Sequence, residues 1–164
     1  MAADSDPGRT ALDKLEAAET ISRFYAAVQR YDCYATDWEL IEPLLADEVV
    51  YLTQNLKDPT PTPRAQFLEQ FRKIHDVHAA EGRGSFYGLF APAVSVDGDS
   101  ATVFQHMAVC HWSKPGNENS SWFYGAVDAH LVRGSDGAWR IASLDVSHNV
   151  RVEGRDPPID AFHP

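Results

Sequence analysis

Long hydrophobic runs are missing from this chain, and no stretch approaches the ~20 apolar residues that a membrane-spanning helix needs. Basic charge is also scarce. Lys and Arg total 14 against 24 Asp and Glu, a net charge of −10, and the cations are not clustered, so the footprint that binds nucleic acid or anionic lipid is lacking. Only two cysteines occur, Cys33 and Cys110, too few for a disulfide framework. Residues 1–8 contain neither a basic region nor an apolar stretch of the kind that marks a secretory or transit peptide, so the expectation is a cytoplasmic protein with two thiols. No Gly-x-Ser-x-Gly elbow, phosphate loop or dinucleotide fingerprint is present, which disfavours covalent serine chemistry and nucleotide dependence. His75 and His78 stand three apart on a helical segment with no third ligand at a telling distance, so neither a metal nor a cofactor is expected.

What the chain does have is enough apolar side chain for one core: 44% of 164 residues are hydrophobic and 23% charged, the proportions of one domain. Residues 1–8 read as a disordered tip, 9–150 as the domain and 151–164 as a tail or flap. From Arg9 to about Tyr31, Leu12, Leu15, Ala18, Ser22, Tyr25 and Val28 recur at steps of three and four, with Ile21 and Phe24 widening the stripe, which predicts a helix lying on a core. Thr36-Asp37-Trp38-Glu39 has the form of a capping box and predicts a short second helix carrying Trp38, Ile41, Leu44 and Leu45 inward. Val49–Thr53 reads as a short strand. Thr62 as N-cap and Pro63 at the first position predict a third helix to about His78, with Phe67, Phe71, Ile74 and His78 on one face.

From Ser85 the period changes to two. Turn signals at Asp97-Gly98-Asp99, Lys114-Pro115-Gly116-Asn117 and Gly134-Ser135-Asp136-Gly137 divide the rest into strands over 85–96, 100–113, 121–133 and 138–150, joined as an antiparallel meander. Three helices followed by hairpin-linked strands make an α+β layout, with helices on one face of a curved sheet.

With Tyr31-Asp32 at the end of the first helix, Leu44-Leu45-Ala46-Asp47-Glu48-Val49, Val96-Asp97-Gly98-Asp99 and Asp136-Gly137-Ala138-Trp139-Arg140-Ile141 in this order, the chain resembles the SnoaL-like branch of the NTF2-like superfamily over roughly residues 12–150. The resemblance implies a conical α+β fold with a cavity between helices and sheet, and commonly a homodimer. By site it is most similar to the scytalone dehydratase family, whose adjacent Tyr and Asp, strand Tyr, central-strand His and strand amide are matched by Tyr31, Asp32, Tyr51, His111 and Asp128. Two positions depart from that pattern: Tyr87 stands where the family carries a His, and Asp128 where it carries an amide.

Read as chemistry, a partly buried Asp32 is a general base, since burial raises a carboxylate's pKa; a helix-terminal Asp capping the next turn is the structural alternative. His111 shares a strand face with Gln105, Met107 and Val109 and can shuttle a proton near neutral pH, or be an ordinary structural histidine. Tyr31, Tyr51 and Tyr87 can hold substrate by hydrogen bonds. Asp128 and His130 share a face with Tyr124 and Ala126 and either bind substrate or form a surface ion pair. The function these residues suggest is cofactor-independent lyase or isomerase chemistry, dehydratase-like, on a small cyclic or polyketide-like ketone or alcohol. A non-catalytic binding or dimerisation module, with Trp112, Trp122 and Phe123 at the interface, is the second reading, and a polyketide cyclase or epoxide hydrolase the third.

Overall fold

The structure, a computed structural model, describes residues 7–29, 36–53, 55–80, 83–113, 121–147 and 150–153. Helix α1 (Pro7–Val28) opens on a proline, whose missing N–H costs nothing at a helix start. A four-residue helix α2 (Trp38–Ile41) runs into a 3-10 turn (Glu42–Leu44) that leads directly into strand β1 (Leu45–Leu52). The two-residue strand β2 (Thr62–Pro63) precedes α3 (Arg64–Ala80). Four further strands come in pairs: β3 (Arg83–Asp97) with β4 (Ser100–Ser113), and β5 (Ser121–Arg133) with β6 (Trp139–Asp145), followed by β7 (Val150–Glu153).

The spatial order is β2-β1-β6-β5-β4-β3, antiparallel except where β1 lies parallel to β6. β6 pairs with residues 128–133 of β5 and β7 with residues 121–124, so the strand expected over 138–150 is two pieces on the same edge of β5. Three helices and a curved, mainly antiparallel sheet that does not close make the NTF2-like fold. Curvature has a visible source on the edge strand: β3 loses register with β4 between Phe90 and Ala93, and Ala91 there adopts φ +49°.

Apolar periodicity located α1 and α3 but overran α2: Leu44, expected on that helix, lies in the 3-10 turn, and Leu45 opens β1, which starts four residues before the strand expected over Val49–Thr53. Some helix faces were also misassigned. Leu12 and Leu15 are 53% and 64% exposed, whereas Ala17, Thr20, Ile21, Phe24, Ala27 and Val28 are buried. α1 makes its contacts with β3, β4, β6 and α2, and those reach the second half of the helix's inner face, leaving the first leucines in water. On α3 the buried stripe is Phe67, Leu68 and Phe71, while Ile74 is 51% exposed. The side chain of His78 lies outside the described residues. The capping box is not formed. Asp37 occupies the N-cap without a side-chain cap bond, and the Thr36 hydroxyl lies 3.4 Å from His75 Nδ1. Thr62 and Pro63 pair with Val49 and Glu48 instead of starting α3.

Arg133 binds the closed end of the cone together. Its guanidinium meets Asp13 of α1 at 2.9 Å and Asp99 of the β3–β4 turn at 3.2 Å, donates to the carbonyl of Gly137 at 3.0 Å, and lies 4.1 Å over the Trp139 ring. In the β5–β6 turn, two 2.7 Å bonds from Arg140 and the Ala138 amide hold the Asp136 carboxyl well below the usual carboxylate range, and Gly137 takes φ +84°.

The two faces of α1 differ in their energetic weight. Phe24→Ala is expected to destabilise the fold by about 3–5 kcal/mol and Leu15→Ala to stay within about 0.5 kcal/mol, as measured by urea unfolding. Equal losses from the two variants would contradict the packing described.

Candidate active site

The inner face of the sheet is set by the pleat of β4. Ala101, Val103, Gln105, Met107 and Val109 are buried beneath the helices, and His111 continues the same row. Because Val109 pairs with Tyr87 on β3 and with Phe123 on β5, those two rings enter the same space. α1 contributes Tyr25 and β1 contributes Tyr51. The result is a cavity of about 240 Å3 whose walls include Tyr25, Tyr51, Tyr87, Met107, His111 and Phe123, with Thr53, Asn55 and Val146 also lining it.

The rings inside contact one another directly. Tyr25 and Tyr87 have centroids 5.3 Å apart, and His111 stands edge-on to Tyr87 at 6.2 Å and to Phe123 at 5.4 Å. Tyr51 is wedged edge-on against Phe67 and Phe71 of α3 at 5.9 and 5.7 Å. Tyr87 is positioned by its backbone as well: its amide donates to Gln29 Oε1, one residue past α1, at 2.9 Å. Thr53 and Val146 are held by backbone bonds, Thr53 N–H to the Leu56 carbonyl at 2.8 Å and Val146 N–H to the Leu52 carbonyl at 2.9 Å.

All three phenols are pushed above their ordinary pKa. For Tyr25 and Tyr51 burial is the main cause, with the neighbouring phenols adding to it; for Tyr87 burial dominates and a hydrogen bond with Ser85 partly offsets it. They therefore stay protonated, as neutral donors, across the physiological range. Three hydroxyl donors lining one mainly apolar, partly open hollow can bind and stabilise an oxygen that gains negative charge. No group of three or more His, Cys, Asp and Glu placed to hold a metal occurs among the described residues.

The expected site residues divide. Tyr51, Tyr87 and His111 are brought together in this cavity. Tyr31, Asp32 and Cys33 lie outside the described residues. Asp128 and His130 do not reach the cavity. Val127, Ala129 and Leu131 are the buried residues of β5, so alternation turns Asp128 to solvent on the outer face and sets His130 Nε2 2.8 Å from the Ser100 hydroxyl. Phe123, expected at an outer interface, is a cavity wall instead. Tyr25 lines the cavity but was read from the sequence only as a member of the apolar stripe of the first helix; a phenol in that stripe was the available signal.

Fold and cavity together define an α+β domain with a small, partly open, phenol-lined hollow between helices and sheet. The chain belongs to the SnoaL-like domain family, whose profile matches residues 9–145. Among solved structures it is similar to the Kfla4162 protein of Kribbella flavida (18% identity, TM-score 0.71, covering 87% of this chain and 94% of that one). It is also similar to a proposed dehydratase of the NTF2-like family from Streptomyces avermitilis (20% identity, TM-score 0.60, 88% and 99% covered). A third is a ketosteroid isomerase-like protein from Erwinia carotovora atroseptica (12% identity, TM-score 0.59, 87% and 98% covered). These likenesses establish the fold. No curated protein matches the chain in sequence.

The raised phenol values carry a stability consequence. The unfolded chain releases tyrosine protons at the ordinary value of 10.0 and the folded chain only above it, so stability is complete below about pH 10 and declines as pH rises further. Urea unfolding between about pH 8 and 11 should show this decline, with a shallower one in Tyr51→Phe. An identical pH dependence in the variant would show that Tyr51 is not shielded as described.

Proposed function

We propose that this protein is a cofactor-independent lyase or isomerase, dehydratase-like, acting on a small cyclic or polyketide-like ketone or alcohol. The observation that carries the reading is the convergence of three neutral phenols and one imidazole on one partly open hollow. In the proposed reaction Asp32 removes a proton from the carbon beside a carbonyl, and the electron pair moves onto the carbonyl oxygen, where Tyr25, Tyr51 and Tyr87 donate hydrogen bonds to the enolate. His111, protonated, then donates to a departing hydroxyl, which leaves as water, or to a second carbon of the enolate in an isomerisation. Support for placing Asp32 here comes from the residues on either side. Gln29, three residues before Asp32, is bonded to the cavity strand at the Tyr87 amide.

The second reading is a ligand-binding module without turnover, and one observation favours it: among the described residues that line the cavity there is no carboxylate. The two readings separate on one variant. Against a panel of ring ketones and β-hydroxyketones, Asp32→Asn should reduce kcat by about 10²–10⁴-fold while leaving binding intact, and Tyr51→Phe by about 10²–10³-fold. Binding without conversion by the wild-type protein would establish the module instead.

The partner proposed for the outer sheet face is a second copy of this chain. Phe90, Phe104 and Tyr124 are 54%, 40% and 44% exposed there, and Trp122 stacks on Tyr124 at 6.0 Å. Asp128 and His106 are exposed on the same face, and a two-fold axis can set the carboxylate of one copy against the imidazole of the other. Light scattering is expected to give a dimer mass for the wild type and a monomer mass for Phe104→Glu. A monomeric wild type would overturn the assignment.

A further inference from the structure

Burial grades the cavity from floor to lip. Tyr25, Met107 and Val109 are buried, Tyr51 and Tyr87 are half-buried, and Asn55 is the one exposed residue among the described residues that line it. A residue that is both cavity wall and solvent-exposed stands at the lip, within reach of a ligand that fills the hollow. Asn55 belongs to the turn that follows β1. That turn is closed by Thr53, whose hydroxyl accepts from the amides of Asn55 at 3.2 Å and Leu56 at 3.0 Å, and whose own amide donates to the Leu56 carbonyl at 2.8 Å. Asparagine is common in turns because its carboxamide can bond the nearby backbone. Here the Thr53 hydroxyl takes that part, and the Asn55 carboxamide makes no hydrogen bond to the described residues. Both its donor and its acceptor are left for water or a ligand.

We infer that Asn55 is a specificity residue of the ligand site, and that its carboxamide binds a hydroxyl on the edge of the substrate that faces solvent. This rests on the cavity being the ligand site, as proposed above, and adds a feature of the substrate: a second oxygen, remote from the carbonyl. A carbonyl held by Tyr25 and its neighbouring phenols lies towards the floor, so the opposite edge of a ring system points to the lip. An unsubstituted ring there would displace water from Asn55 and return no hydrogen bond. A hydroxyl both donates and accepts, which matches a carboxamide that offers both functions. The closed turn holds the Asn55 backbone in place before a ligand arrives, so little ordering of the main chain opposes binding. A cavity of about 240 Å3 limits the ligand to a small ring system. The compound class is a mono- or bicyclic ketone with a hydroxyl on the ring edge away from the carbonyl.

A matched ligand pair tests this: 2-tetralone, with the ketone alone, and 6-hydroxy-2-tetralone, with a hydroxyl across the ring system, titrated calorimetrically into the full chain and into Asn55→Ala. The wild type is expected to prefer the hydroxylated ketone by about tenfold, the factor that corresponds to one net hydrogen bond. Asn55→Ala should bind both ketones alike and keep its affinity for 2-tetralone within about twofold, since the phenols are untouched. It should also melt with the wild type, because Asn55 is exposed and its side chain bonds nothing in the described fold. A preference that persists in Asn55→Ala, a wild type that binds the two ketones equally, an equal loss of both ketones in the variant, or a marked fall in its melting temperature would each overturn the role of Asn55 while leaving the cavity as the site. Failure of the wild type to bind either ketone would overturn the cavity reading and this inference together.

Discussion

The two-residue pleat of β4, carried by register into β3 and β5, is the constraint on which the rest of this protein depends. Once Val103 and Val109 face the helices, Met107 and His111 must do so as well, and Phe104, His106 and Trp112 must face outward. The pairing of Val109 with Tyr87 and Phe123 then assembles three chemically distinct side chains at one level of the sheet. A slip of one residue in either pairing would move Tyr87 or Phe123 to the outer surface and leave His111 without its neighbours.

The helices turn that row into an enclosure. α1 supplies Tyr25 and, one residue beyond its end, the Gln29 carboxamide that holds the β3 backbone; α3 supplies the two phenylalanines that fix Tyr51. Burial also sets the ionisation of the rings it encloses. Removing the phenols from water raises their pKa, which holds them in the neutral form to higher pH than an exposed tyrosine. At the opposite end, Arg133 links α1, the β3–β4 turn and the β5–β6 turn through charge-assisted bonds, its side chain and that of Asp13 being 13–14% exposed, so the scaffold is pinned away from the cavity.

Much of the architecture was legible one-dimensionally because periodicity is a local property. The change from a helical step to alternation at Ser85, and the turns around Gly98 and Gly137, located the long strands to within a few residues. Helix faces were less legible. Leu12 and Leu15 satisfy the spacing of an apolar stripe, yet nothing in the spacing says where along α1 the sheet ends. The capping pattern at Thr36 failed for a related reason: the hydroxyl has a nearby partner in His75, thirty-nine residues away, which no local rule anticipates.

Amino-acid order by itself determined the α+β class, the extents of the three long strands β3, β4 and β5, and the grouping of residues 105, 107, 109 and 111 on one face, since each follows from backbone geometry over a few residues. It also paired Asp128 with His130 on a common face, and that pairing holds. Which face looks inward was decided only by tertiary packing: burial of Val127, Ala129 and Leu131 under the helices gains more than burial of a carboxylate would, so Asp128 goes to water and Tyr25, from a distant helix, takes a place in the cavity. Sidedness is a property of the whole sheet, because it depends on what the helices cover.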